Sequence, residues 1–168
     1  MKNVGIFYGS STGNTEAAAK KLQQEFGPDK AQIFDVANAK ASDMDNFPNL
    51  IFGSSTWGMG DLEEEFEEFV SEIQQENLEG KKVAIFGCGD QEAYADSFVD
   101  AMGLIYEVLR NKGCDIVGKI STEGYEFDES KAVVNGQFIG LPLDEDNQSD
   151  LTDERIKSWA DQLKKEFI

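Results

Sequence analysis

Short apolar runs alternate along the chain with longer segments in which apolar and polar residues recur at helical spacing. The runs at 4–8, 50–54 and 82–87 carry little charge, which is typical of parallel strands that are buried on both faces. The 82–87 run is expected in the interior of the sheet. A less apolar run at 31–36 predicts an edge strand, and a fifth strand begins at 115–120.

The segments between these runs predict helices, and their starts are expected at residues that commonly cap helices. Thr12 or Asn14 is the candidate N-cap of the first helix, Asp61 of the second and Thr152 of the last. Acidic residues 63–65 would then occupy the first turn of the second helix, where the helix dipole stabilises negative charge.

Five alternations of strand and helix predict an α/β fold, a doubly wound five-stranded parallel sheet with helices on both faces. The length of 168 residues corresponds to one domain over 1–168. Between Ile120 and Ile139 lies a polar stretch longer than an ordinary connection. It predicts an insertion near 121–138 that splits the fifth strand, which resumes at 139–143.

The charge of the chain restricts the classes of partner. There are 15 basic and 33 acidic residues, a formal net charge of −18. Such a surface argues against binding to nucleic acid or to anionic membranes and favours partners with a basic face. An acidic protein without such a partner is the alternative.

Several residue types are scarce or absent, and this excludes common chemistries. Without histidine, the chain has no serine–histidine or cysteine–histidine catalysis and no histidine-bearing metal site. Cys88 and Cys114 lie far apart in the sequence. This spacing is typical of reduced thiols in a cytoplasmic protein. We expect no signal peptide and no membrane-spanning segment, because the apolar runs are too short.

The stretch 9–15 (Gly-Ser-Ser-Thr-Gly-Asn-Thr) joins the first strand to the first helix. Free N–H groups at a helix start favour an anion. The stretch has no lysine and no G-x-G-x-x-G pattern, so it is neither a triphosphate loop nor a dinucleotide fingerprint. Its hydroxyls, amide and backbone donors predict a site for one terminal phosphate, with an ordinary polar loop as the alternative.

Two further loops follow strands and each carries one large aromatic residue among glycines and small polar residues. Trp57 lies in the 54–61 loop and Tyr94 in the 88–96 loop. In a doubly wound sheet, ligands bind beyond the carboxyl ends of the strands. An aromatic residue in a loop often packs on its own scaffold. Two of them beside a phosphate turn instead indicate a flat ring held between them.

With these three loops the chain resembles the flavodoxin family. The family's phosphate pattern T/S-x-T-G-x-T is matched by Ser10, Thr12, Gly13 and Thr15, and its two stacking aromatics by Trp57 and Tyr94. The Gly-Asp-Gln…Tyr-Ala-Asp motif is matched over 89–96, and the insertion resembles that of the long-chain subgroup. The resemblance implies the strand order 2-1-3-4-5 in a single flavodoxin-like domain.

The resemblance also implies a low-potential one-electron carrier rather than an enzyme, with non-covalently bound FMN and neither catalytic residues nor a metal. It would act as a cytoplasmic monomer that shuttles electrons between redox enzymes, for example a flavodoxin/ferredoxin-NADP reductase type of enzyme with a basic docking face. The alternative is an FMN-dependent NAD(P)H:quinone reductase of the same fold. The implied cofactor-binding residues come from all three loops and from the segment after the last strand: Ser10, Ser11, Thr12, Gly13, Asn14, Thr15, Ser55, Thr56, Trp57, Gly58, Met59, Gly60, Cys88, Gly89, Asp90, Tyr94, Asp96 and Asp146.

Overall fold

The computed structural model describes residues 1–168. Its helices are α1 (Asn14–Phe26), α2 (Glu64–Gln75), α3 (Asp100–Leu109) and α4 (Thr152–Glu166), with short 3₁₀ turns at Ala41–Met44 and Ser149–Leu151. Its strands are β1 (Val4–Gly9), β2 (Ala31–Asp35), β3 (Asn49–Trp57), β4 (Asp61–Leu62), β5 (Lys82–Cys88), β6 (Asp115–Ile116), β7 (Ile120–Ser121), β8 (Val133–Val134), β9 (Gln137–Phe138) and β10 (Leu141–Leu143).

The main sheet has the order β2-β1-β3-β5-β10, and β6 also pairs with β5. All of these pairs are parallel, so the predicted order 2-1-3-4-5 is confirmed. β2 is the edge strand, as predicted, and β5 lies in the interior beside the middle strand, β3. β3 extends three residues beyond the predicted end at Ser54, because the antiparallel strand β4 pairs with its last two residues, Thr56 and Trp57.

The fifth strand is split as predicted. β6 pairs with the start of β5 and β10 with its end. The intervening insertion forms a small antiparallel sheet of order β7-β9-β8, which was not predicted. Asn135 and Gly136 join β8 to β9 with φ angles of 54° and 79°. Both angles are positive, as in the turn that Asn-Gly favours in tight hairpins.

Two apolar clusters fill the space on the two faces of the sheet. Phe7 contributes to the cluster beneath α2 and α3, and its neighbours Ile6 and Tyr8 contribute to the cluster beneath α1 and α4. This division follows from the alternation of side chains along a strand. Helices therefore cover both faces, as the uncharged strands predicted.

The predicted caps were wrong at three helices. Gly13 is the N-cap of α1, with φ of 96° and no side-chain cap, so neither Thr12 nor Asn14 has that role. Glycine adopts this left-handed conformation without strain. Thr152 is the first residue of α4 rather than its cap, because a 3₁₀ turn precedes it and its hydroxyl donates to the carboxylate of Glu145.

The third correction concerns α2. Asp61 lies in β4, and Glu63 is the N-cap, with its carboxylate accepting hydrogen bonds from the N–H groups of Glu65 and Phe66. Glu63 is 1% exposed. It therefore belongs to the interior of the protein and not to an acidic outer turn.

Both chain ends meet at the start of β3. The side-chain amide of Asn49 donates to the carbonyls of Lys2 and Ile168, and its oxygen accepts from the N–H of Ile168. This contact lies at the amino edge of the sheet. None of the helices has the length and apolar character needed to cross a bilayer.

Candidate functional site

A cleft of about 460 Å³ lies beyond the carboxyl ends of β1, β3 and β5. This is the edge where a doubly wound sheet binds its ligands. Eleven of the residues expected to bind the cofactor line the cleft together with Glu145: Thr12, Asn14, Ser55, Thr56, Trp57, Gly58, Cys88, Gly89, Asp90, Tyr94 and Asp146.

The other expected residues do not line this cleft. Ser10, Ser11, Gly13 and Thr15 belong to the same turn as Thr12 and Asn14, and Met59 and Gly60 belong to the loop after Trp57. Asp96 lines a separate acidic cavity of about 500 Å³ that also contains Asp100 and Asp128. The roles of all these residues stay predictions.

Glu145 lines the cleft although the sequence did not single it out. The signal that could have found it is its place two residues after β10, directly before the predicted Asp146. The Thr152 hydroxyl at the start of α4 donates to its carboxylate. Glu145 therefore adds a further acidic group to one side of the cleft.

The turn between β1 and α1 presents unpaired donors. The N–H groups of Asn14, Thr15 and Glu16 belong to the first turn of α1 and have no acceptor in the protein. The Thr15 hydroxyl is buried and makes no hydrogen bond of normal geometry, although the weakly polar Cys88 thiol lies beside it. The Ser10 Oγ accepts the Gly13 N–H at 3.0 Å and fixes the turn. A buried donor without a partner is uncommon, and an anion would satisfy this set.

Two large aromatic side chains at the cleft are exposed. Trp57 is 41% exposed and Tyr94 is 49% exposed, whereas Trp159 is fully buried in the core. The Trp57 Nε1 donates to Ser55 Oγ at 3.0 Å, and the Tyr94 N–H donates to the Asp90 carbonyl at 3.0 Å. These contacts hold both aromatic residues beside the cleft, where their rings offer flat apolar surface to a ligand.

Carboxylates make one side of the cleft negative. Partial burial opposes the ionisation of Asp90, but donors from Ala93, Asn147 and Glu92 outweigh it and lower the pKa of Asp90 below its ordinary value. Partial burial and the neighbouring carboxylates, first among them Asp90, raise the pKa of Asp146. An added negative charge in the cleft is therefore electrostatically unfavourable.

Cys88 lies at the end of β5 and lines the cleft. Burial raises the pKa of its thiol to about 12. The neutral thiol is a poor nucleophile and a poor metal ligand. Cys88 therefore contributes apolar surface to the cleft.

The sequence profile described as Flavodoxin matches residues 6–159. The chain is 49% identical to a flavodoxin of Nostoc sp. (strain PCC 7120) over 99% of this chain and 98% of that one. It is 50% identical to a flavodoxin of Trichodesmium erythraeum, with 99% of each chain covered. A crystal structure of the Fusobacterium nucleatum flavodoxin bound to flavin mononucleotide superposes with a TM-score of 0.95 at 34% identity, covering 100% of both chains.

The profile covers most of the chain, and the two relatives and the solved structure cover 99–100% of it. The chain therefore belongs to the flavodoxin family of FMN-binding electron-transfer proteins.

Proposed function

We propose that the cleft binds one FMN non-covalently and that the protein carries electrons one at a time between redox enzymes. The start of α1 would hold the terminal phosphate, and Trp57 and Tyr94 would hold the ring system between them. The donors of the turn and the two exposed aromatic residues match the two chemically different ends of this cofactor.

The unpartnered donors at the start of α1 carry this proposal. A buried hydroxyl that makes no hydrogen bond costs about 1–3 kcal/mol, and Thr15 is in that state. Phosphate oxygens accept several hydrogen bonds at once and would satisfy Thr15 and the free N–H groups of α1 together. No lysine or arginine lines the cleft, so neutral donors hold the phosphate.

When bound, FMN supplies a ring that accepts and releases single electrons. The protein needs no general acid, base or nucleophile for this task, and the absence of histidine is compatible with it. Trp57 and Tyr94 cover the ring and limit access of water. Asp90, Glu145 and Asp146 make the addition of negative charge less favourable. They thereby favour a low potential.

We propose that the redox partners dock through basic faces, as a flavodoxin/ferredoxin-NADP reductase type of enzyme would. The acidic excess of the chain supports this, because complementary charge steers brief encounters between redox proteins. We also propose that the protein is a monomer with one domain and that it acts in the cytoplasm.

The test begins with the visible spectrum of the purified protein and with titration of the flavin-free protein by FMN and by riboflavin. We expect a flavin spectrum and a much weaker affinity for riboflavin, which lacks the phosphate. A protein that binds neither flavin would overturn the proposal. Mixing the FMN-loaded protein with NADPH alone distinguishes the quinone reductase, because rapid bleaching of the flavin would support the enzyme and its absence the carrier.

A further inference from the structure

A buried carboxylate without a cation lies behind the cleft. Asp144 follows β10 directly, is 1% exposed and forms no ion pair with any lysine or arginine. Its Oδ2 accepts from the Gln91 N–H at 3.0 Å, from the Gln91 side-chain amide at 2.8 Å and from the Asn147 amide at 2.9 Å. Its Oδ1 accepts from the N–H groups of Asp146 and Asn147.

The contacts of Asp144 join three segments that are distant in sequence. Gln91 belongs to the loop that carries Tyr94, and its side-chain oxygen accepts the N–H of Glu126, in the insertion, at 2.6 Å. The Asn147 amide also donates to the Asp90 carboxylate at 2.7 Å. We call Asp90, Gln91, Asp144 and Asn147 the Asp144 network.

The Asp144 network fixes the base of the Tyr94 loop. The Asp90 carboxylate accepts the N–H groups of Glu92 and Ala93, and the Asp90 carbonyl accepts the N–H of Tyr94. The turn that holds Tyr94 is therefore built on Asp90. The adjacent Gln91 is 3% exposed and anchors that turn to the interior through Asp144.

A buried charge is costly for stability unless hydrogen bonds compensate for it, and a neutral side chain of similar size often serves a fold equally well. Here the compensating donors come from the two loops that line one side of the cleft. We propose that Asp144 is a positioning residue, which acts through Gln91 and Asn147 to hold Tyr94, Asp90 and Asp146 where they receive the flavin ring. This inference rests on the proposed function.

Two variants test it on the full-length protein. Asp144→Asn keeps the shape of the side chain, but its NH₂ group would face N–H donors that now bond to the carboxylate. Gln91→Met keeps the charge of the site and removes the side-chain bonds to Asp144 and Glu126. It also provides the test if Asp144→Asn fails to fold. Asn49→Ala is the control, because it removes buried hydrogen bonds at the opposite edge of the sheet.

We expect each variant to weaken FMN and riboflavin by the same factor of about tenfold, the equivalent of one hydrogen bond to a charged group. The ratio of the two affinities then stays constant, because the phosphate turn is intact. Fluorescence of the bound flavin should rise as Tyr94 stacks less closely. The variant that carries both Asp144→Asn and Gln91→Met should lose less binding free energy than the two single variants together. The reason is that both substitutions act through the same Asp144–Gln91 contact.

Affinities and flavin fluorescence within twofold of the wild type in both variants, with only a lower free energy of unfolding, would overturn the inference. A shifted potential in Asp144→Asn with no effect of Gln91→Met on binding would also overturn it, because charge alone would explain that result. Equal losses in the Asn49→Ala control would assign the effect to general destabilisation and overturn it too. Failure of the wild type to bind either flavin would instead overturn the proposed function.

Discussion

The hydroxyl of Ser11 donates a hydrogen bond of 2.9 Å to the carboxylate of Glu63, which lies 52 residues further along the chain. Glu63 also caps α2, and its own N–H donates to Ser54 on β3. The phosphate turn and the loop after Trp57 are therefore connected through one buried carboxylate. Displacement of either loop disturbs the same group.

The Ser11→Ala variant tests this connection. We expect the free energy of unfolding of the flavin-free protein to fall by about 1 kcal/mol, because a hydrogen bond to a charged acceptor is lost. Urea denaturation measures the change. Ser71→Ala is the control, since its hydroxyl donates only to a carbonyl on an exposed helix face. Equal changes in the two variants would show that the Ser11–Glu63 bond contributes no more to the free energy of unfolding than the exposed Ser71 bond.

Thr15→Val should weaken FMN binding without destabilising the flavin-free protein. In the flavin-free protein the Thr15 hydroxyl is buried without a partner, so a methyl group of the same size should leave stability unchanged or raise it by about 1 kcal/mol. FMN affinity should fall by about 1–3 kcal/mol, and riboflavin affinity should not change. Calorimetric titration with both flavins checks this, and an unchanged FMN affinity would contradict it.

Asp90→Asn should raise the second one-electron potential of the bound FMN, in which the ring becomes anionic. One negative charge near the ring is removed, and the expected increase is a few tens of millivolts. Redox titration at low ionic strength measures it. A fall in that potential would contradict the electrostatic account of the cleft.

Electron transfer with the partner reductase should slow as salt increases, because screening weakens the attraction between unlike charges. Glu64→Gln, at the exposed start of α2, should reduce this dependence, whereas Glu79→Gln, before β5 at the opposite edge, should not. Glu63 does not contribute to this face, since it is buried. Stopped-flow rates over a range of ionic strength provide the measurement. A rate independent of salt would leave the acidic residues a role in solubility alone.

The contribution of Asp100 to the free energy of unfolding should rise on acidification. Burial raises the pKa of Asp100, so the folded protein binds a proton more readily than the unfolded chain. The stabilising contribution is complete below the unfolded value of about 4 and is lost as the pH rises through the folded pKa. The pKa values of Glu65, Glu76 and Asp146 are raised as well.

Asp100→Asn should therefore stabilise the protein more at neutral pH than near the unfolded value of about 4, and it should reduce the slope of stability against pH. Denaturation midpoints over this range measure the slope. The exposed Asp29→Asn serves as the matched control and should leave the slope unaltered. An unaltered slope in Asp100→Asn would show that this carboxyl does not contribute.

The parallel sheet could be predicted because it depends on repeated features of the chain, whereas its strand order was implied only by the resemblance to the flavodoxin family. β1, β3 and β5 are buried on both faces, and the burial appears directly as uncharged runs. The cleft followed from the same topology, since the loops after these strands meet at one edge. Prediction of a site needed only the residue types in those loops.

The helix caps could not be predicted because several suitable residues stand next to one another. Between Asp61 and Glu65 there are four acidic residues, and the short strand β4 selects Glu63 by pairing Asp61 and Leu62 with β3. The Ser11 contact also depends on a segment far away in sequence. By contrast, the Asn135-Gly136 hairpin carried a local signal that the prediction of a plain insertion did not use.

The contact between Asn49 and both chain ends has a practical consequence. β3 starts at Asn49 and its nine residues end at Trp57, so the two termini lie together roughly 25 Å from the cleft. A few linking residues should suffice to join them, which makes the fold a candidate for circular permutation. A redox enzyme fused to either terminus would also be kept near at high effective concentration without obstructing the flavin.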